Sequence, residues 1–238
     1  MTKVAIVTGS SSGIGAACAL ELSRRGWSVV VNYAHNAAEA QKVVAQCRDA
    51  IAVQADVGED ADCRRLAQSA LDKWGRIDGL VNNAGTTKLV KHTDLEGLSA
   101  EDFQRIYRLN VVGPFQMTRA CASALKASKG AVVNVSSVAS LLGTGSSVAY
   151  AASKAALNAM TLSLARTLAP EVRVNAVAPG PILLEEGAGE AAIAAVERAT
   201  PLGRLGGPEA VATAVLFLLG HDFMTGETIR VDGGRSLK

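Results

Sequence analysis

A chain of 238 residues is long enough to bury a large core, and one α/β domain of this size is ordinary. Hydrophobic residues make up 49% of it but aromatics only 4%, a balance that suits strands covered by helices on both faces. The formal net charge is +2 with acids and bases interspersed, which points away from a nucleic-acid surface.

No apolar run approaches the roughly 18 residues of a membrane helix. The first one, Val4 to Val7, ends in a Thr-Gly turn and does not read as a signal peptide. The expectation is a soluble cytoplasmic protein. Cys18, Cys47, Cys63 and Cys121 lack CxxC spacing and fall in helical stretches, so they read as free thiols with no metal site.

In chain order, Lys3–Val7 reads as a buried strand, followed by a Gly/Ser turn and a helix to about Arg25, stopped by Gly26. Ser28–Asn32 is a second strand, Ala37–Ala50 a helix and Ile51–Gln54 a third strand. Asp60–Trp74 is an amphipathic helix ending at Gly75, and Gly79–Asn82 is a fourth strand. Ala100–Ala127 holds a long helix broken near its start, and Ala131–Ser136 is a fifth strand. Val148–Leu168 is a helix and Val172–Ala178 a sixth strand. Glu209–Leu219 is a helix and Thr228–Val231 a last strand. Strands alternating with helices predict right-handed crossovers and one doubly wound parallel sheet of about seven strands, a Rossmann-type α/β fold. No linker or repeat interrupts it, so residues 1–238 read as a single domain. One junction is irregular. The helix to Ala50 runs into Ile51 with no connecting residues, where about two to six are usual. Either this helix ends early or a short loop is missing; the second is the expectation.

Two cues point to a dinucleotide. Gly9, Gly13 and Gly15 let the chain turn tightly after the first strand and approach a ligand closely. The helix starting near Ile14 offers free N–H groups to a pyrophosphate, and Ser11 and Ser12 add hydroxyls. A glycine triplet alone is a weak signal, but between a first strand and a helix it is a stronger one. At the end of the second strand, an NAD-preferring site carries an acid about 20 residues on. Here the chain reads Asn32-Tyr33-Ala34-His35, with donors and no carboxylate to repel a 2′-phosphate. This leans towards NADP(H).

Tyr150 and Lys154 stand four residues apart, one turn along a helix face. A phenol with a pKa near 10 exchanges protons poorly at neutral pH. A fixed ammonium beside it favours the phenolate, and the pair can then serve a carbonyl or hydroxyl oxygen. The spacing alone also fits a solvated surface pair.

Taken together, Thr8-Gly9-x-x-x-Gly13-Ile14-Gly15, Asn82-Asn83-Ala84-Gly85, Leu109-Asn110-Val111, Ser137 thirteen residues before Tyr150-x-x-x-Lys154, Pro179-Gly180 and Val231-Asp232-Gly233-Gly234 resemble a short-chain dehydrogenase/reductase along nearly the whole chain. The nearest subgroup in look is the 3-oxoacyl-(acyl carrier protein) reductases, which use NADPH. The resemblance implies four catalytic residues. Tyr150 is the proton donor or acceptor. Lys154 lowers its pKa and holds the nicotinamide ribose. Ser137, preferred over Ser136 by its spacing, polarises the substrate oxygen. Asn110 holds a water linking Lys154 to solvent. It also implies cofactor contacts at Asp56 and Val57 for the adenine end, at Asn83, Ala84 and Gly85 along the groove, and at Pro179, Gly180 and Ile182 near the nicotinamide. Asn82 reads as structural, His92 and His221 as surface residues, and Trp27 and Trp74 as packing at element ends.

The family commonly carries a Thr where this chain has Leu184, and Ile182–Pro201 is short for a substrate lid, so missing residues are expected there too. The substrate space is bounded by Thr86-Thr87, Leu141–Ser147 and that lid. Its small, apolar character suits a ketone, an acyl thioester arm or a secondary alcohol better than a polyanion. The function expected is hydride transfer between NADP(H) and a carbonyl or secondary alcohol, with a ketone or 3-oxoacyl thioester first. A sugar, steroid or pteridine substrate is the alternative, and a non-catalytic nucleotide-binding partner protein is the reading from another class. Small residues on several faces of the Tyr150 helix predict a homo-oligomer, a tetramer by resemblance or a dimer.

Overall fold

The computed structural model describes residues 1–182 and 189–237. β1 (Val4–Val7) leads to α1 (Gly13–Arg24), β2 (Ser28–Tyr33) to α2 (Ala37–Gln46), and β3 (Ala50–Gln54) to α3 (Asp60–Trp74). β4 (Gly79–Asn82) precedes α4 (Ala100–Tyr107), a π-helical turn (Arg108–Val112) and α5 (Gly113–Ser128). β5 (Ala131–Val135) precedes α6 (Ala139–Leu142) and α7 (Val148–Leu168). β6 (Arg173–Pro179), α8 (Glu190–Ala199), α9 (Pro208–Gly220), β7 (Thr228–Val231) and a 3₁₀ turn (Arg235–Leu237) complete the order.

Among the described residues, seven strands form one parallel sheet in the order β3-β2-β1-β4-β5-β6-β7. The central strands are continuous apolar runs because both faces are covered. Ala5, Val7, Val29, Val31 and Val133 pack beneath α1 and α9. Their alternates Val4, Ile6, Val30, Leu80 and Val132 pack beneath α3 and α5. Each fully buried Ile or Leu side chain contributes about 1.5–3 kcal/mol over leaving it in water. The strand order reverses between β1 and β4, the usual place for a ligand at the carboxyl ends of such a sheet. No helix among the described residues is long and apolar enough to cross a membrane.

Three expectations change. The α2 helix ends at Gln46, and Cys47–Asp49 form an ordinary three-residue connection, so no missing loop is needed after Ala50. The cause is capture by side chains distant in sequence. Ser23 Oγ accepts the Arg48 N–H at 2.8 Å, while Ser28 Oγ (2.5 Å) and Trp74 Nε1 (2.7 Å) both donate to the Asp49 carboxylate. Cys47 therefore lies just past a helix. His92 and His221 are half-buried, not on the surface, and the His221 ring sits 5.2 Å from that of Phe217. The break near the start of the long helix is the π turn, which carries Asn110. The residue expected to replace a Thr, Leu184, lies outside the described residues.

Candidate active site

The glycine turn is shaped by backbone demands. Gly9 and Gly13 have φ of +60° and +55°, which other L-residues rarely adopt. A Cβ on Gly15 would lie 2.5 Å from Asn83 Nδ2 and 2.8 Å from Ser10 Cα, so no larger residue fits. The turn is then stapled to its neighbours. Thr8 Oγ1 accepts the N–H groups of Asn83 (2.9 Å) and Ala84 (3.0 Å). Asn83 Nδ2 donates to the carbonyls of Thr8 and Gly9, both at 3.0 Å. Thr8, the first residue of that glycine motif, is thus a shaping residue. Ser12 caps α1 with extended backbone and an exposed side chain that makes no capping bond. Its hydroxyl and the unpaired first amides of α1 suit a phosphate.

Asn32 has another job than the one expected. It is buried; its Oδ1 accepts the Gly9 N–H at 3.0 Å, and its Nδ2 donates to backbone carbonyls, most closely that of Ala55 at 3.1 Å. Its amide braces the turn and is not available to a 2′-phosphate. Tyr33 is half-buried beside it. Asp56 is held by Gly58 N–H (2.9 Å) and Arg108 (2.8 Å). Burial raises its pKa, but these partners outweigh that and keep it low. Val57 is buried and packs against Gly113.

Beyond β5 the polar groups converge. Ser136 Oγ is buried and donates to the Lys154 carbonyl at 3.3 Å, so it is spent. Ser137 faces the cleft. Its Oγ accepts the Ala139 N–H at 3.1 Å, and its carbonyl accepts Ser140 Oγ at 2.5 Å. Asn158 Nδ2 in turn donates to Ser140 Oγ at 2.8 Å, so α7 helps to fix this serine. Ser147 starts α7 as an N-cap, its hydroxyl accepting the N–H of Tyr150 itself at 3.3 Å. Lys154 lies one turn on, buried, with Nζ donating to the Val135 carbonyl at 2.8 Å and 5.8 Å from the centre of the Tyr150 ring.

The electrostatics differ from the simple picture of an ammonium lowering a phenol. Burial pushes the Tyr150 phenol up, and a hydrogen bond with Ser137 offsets part of that. Burial pulls the Lys154 ammonium down to about 8. At neutral pH the site therefore holds a protonated phenol beside a cation that loses its proton unusually readily.

Asn110 is fully buried in the π turn. Its Nδ2 donates to the Thr86 carbonyl (2.9 Å) and Ser153 Oγ (3.0 Å), and its Oδ1 accepts the Thr86 N–H (2.8 Å). Both donors are taken, so the side chain braces Gly85-Thr86 against α7, and a water towards Lys154 would have to be held by an oxygen of Asn110. A Cβ on Gly85 would come within 3.2 Å of Asn110 Oδ1 and 3.6 Å of Lys154 Nζ, which explains the glycine there.

One open cleft of about 1160 Å³ brings together Ser137, Tyr150 and Lys154 with Ile14, Asn83, Gly85, Pro179, Gly180 and Ile182. Of the expected substrate boundary, Thr86, Thr87, Leu142 and Thr144–Ser146 line it. Gly9, Ser11, Ser12, Gly13, Asn32, Tyr33, Asp56, Val57, Ala84 and Asn110 do not. Arg235 lines it as well, beyond the residues that the sequence motifs mark.

Residues 9–236 match a protein-family model described as enoyl-(acyl carrier protein) reductase. A Streptomyces violaceoruber protein named as a ketoacyl reductase of the granaticin polyketide synthase is 46% identical, covering 98% of this chain and 96% of its own. A 3-oxoacyl-[acyl-carrier-protein] reductase of Synechocystis is 41% identical over the same shares of the two chains. A crystal structure from Burkholderia xenovorans, described as a short-chain dehydrogenase/reductase, superposes with a TM-score of 0.95 at 42% identity, covering 100% of this chain and 99% of its own.

Proposed function

The chain belongs to the short-chain dehydrogenase/reductase family and is an oxidoreductase of that family; from that premise we propose that it reduces the ketone of a 3-oxoacyl thioester with NADPH. The observation that carries this is the convergence of Ser137, Tyr150 and Lys154 in one cleft beside the glycine turn. The chain fits a nicotinamide dinucleotide. The tight turn with positive φ at Gly9 and Gly13, the open end of α1 and the exposed Ser12 hydroxyl form a cradle for its pyrophosphate. When bound, that cofactor supplies the hydride.

The protein's own groups handle the oxygen. Ser137 Oγ donates a hydrogen bond to the substrate carbonyl oxygen and polarises it. Tyr150, a phenol protonated at neutral pH and held so more firmly by burial, delivers the proton to the same oxygen as negative charge develops. The Lys154 cation then stabilises the phenolate left behind. Asn110 acts as a positioning residue, fixing Gly85-Thr86 and Ser153 around the pair. Asp56 and Val57 bound the adenine end.

The preference for NADP(H) is supported by the lack of any carboxylate across Asn32–His35. The thioester is supported by what the two relatives are named to reduce. Titration with NADPH and NADH by nicotinamide fluorescence, followed by assay of acetoacetyl-pantetheine, tests both. Tighter NADH binding, or no turnover of 3-oxo substrates, contradicts the proposal. We also propose a homo-oligomer, a tetramer or a dimer, supported by the exposed apolar side chains Phe103, Phe115 and Leu162 on α4, α5 and α7; light scattering tests it.

A further inference from the structure

We propose that Arg235 is an anion anchor in the cleft, binding an oxyanion group, a phosphate or a carboxylate, that the substrate carries away from its reacting carbonyl. The inference rests on the reading that this cleft reduces a carbonyl.

Arg235 enters the cleft beside Pro181, Ile182 and Val196, on the side of α8. Its guanidinium is partly buried, and Nη1 is buried with no hydrogen-bond partner among the described residues. A cation in such a setting is normally paired; Nη1 itself is shielded, so a ligand would be met by the part of Arg235 that lines the cleft. The nearest acid in the chain, Asp232, does not meet that need. Its carboxylate accepts the N–H groups of Gly234 (2.9 Å) and Ser236 (2.8 Å), capping the turn that carries Arg235.

The turn is also tied to its neighbours. Gly233 and Gly234 have φ of +62° and +84°, and Leu202 N–H donates to the Gly233 carbonyl at 3.0 Å. It leans on Gly180, whose added Cβ would lie 2.7 Å from Asp232 Cα. Arg235 is therefore held against the Pro179-Gly180 wall of the site by its backbone. Among the described residues no carboxylate lines the cleft, and its only other cation, Lys154, is bonded to the Val135 carbonyl. The substrate space reads as better suited to a ketone or acyl thioester arm than to a polyanion, and a single remote anion is compatible with that: the wall offers one positive charge with fork geometry suited to an oxyanion.

Two substrate pairs that differ only in remote charge test this. One is acetoacetyl-4′-phosphopantetheine against acetoacetyl-pantetheine. The other is 3-oxoadipate esterified only at its near carboxyl against its dimethyl ester. Wild-type enzyme should prefer the anionic member of one pair, and which pair identifies the source of the oxyanion. In Arg235→Gln the KM of that member should rise about 10- to 100-fold relative to its neutral twin. Arg235→Lys should keep part of the preference, and it carries the comparison if the glutamine variant does not fold. Equal effects on both members of each pair overturn the proposal. So does a loss of NADPH affinity in place of substrate discrimination, or a lowered Tm with unchanged discrimination. Failure of the enzyme reading is separately visible. The Tm shift of NADPH-loaded protein on adding 4′-phosphopantetheine against pantetheine, and adipate against dimethyl adipate, needs no turnover. An anion-specific shift that vanishes in Arg235→Gln upholds the anchor even if no ketone is reduced, and no shift with either anion overturns it.

Discussion

The two sides of the cleft treat their polar groups in opposite ways. On the β1–β4 side, Thr8, Ser10, Asn32 and Asn83 spend their side chains on backbone groups of the turn and its neighbours. That side is a shaped, self-satisfied surface, and it offers a ligand mainly backbone amides and the Ser12 hydroxyl. On the β5–α7 side, Ser137 and Tyr150 face the cleft, and Lys154 is buried at a cost to its charge. Arg235 Nη1 goes unpartnered among the described residues on the neighbouring wall. Binding needs a fixed shape; chemistry needs groups whose hydrogen bonds and protons are still available.

The contrast breaks most sharply at Tyr150. Tyr150→Phe should lower kcat for ketone reduction by about 10²–10⁴ while NADPH titrates as in wild type. Next is Gly15→Ala on the other side. Its Cβ would press on Asn83 and Ser10, so thermal unfolding should show a loss of about 1–3 kcal/mol and fluorescence titration a weaker cofactor.

Lys154→Met should cost about a hundredfold in rate yet raise stability at pH 7 by about 1–3 kcal/mol, because a buried cation is replaced by an apolar side chain and only the Val135 bond is lost. The sign follows from linkage. With the folded pKa depressed to about 8 from 10.5, the penalty is full below pH 8 and fades as pH rises towards 10.5. The stability gap between variant and wild type should close over that range in denaturant titrations. Smallest is Ser12→Ala, which removes one exposed hydroxyl and should weaken NADPH binding only a few-fold.

Much of this was legible in the chain. The strand runs, the caps at Gly26 and Gly75, and the helices Asp60–Trp74 and Val148–Leu168 follow from local pattern and stand where that pattern puts them. What escaped depends on distant residues. The end of α2 is set by Ser23, Ser28 and Trp74, none of which is a local stop signal. Asn32 has the chemistry of a ligand donor, but Gly9 and Ala55, 23 residues away on either side, claim its amide. Arg235 sits in a three-residue 3₁₀ turn with no periodicity, and only the fold brings it to the cleft. The one available hint was a basic residue directly after Asp232-Gly233-Gly234.

The division of labour between the two sides is tested most directly by single-turnover reduction. Tyr150→Phe is saturated with NADPH, mixed with acetoacetyl-pantetheine, and followed by loss of reduced-nicotinamide absorbance. Wild-type cofactor binding is expected, with no appreciable oxidation on the timescale of the wild-type reaction. Oxidation at the wild-type rate, or failure of the variant to bind NADPH, would contradict that division.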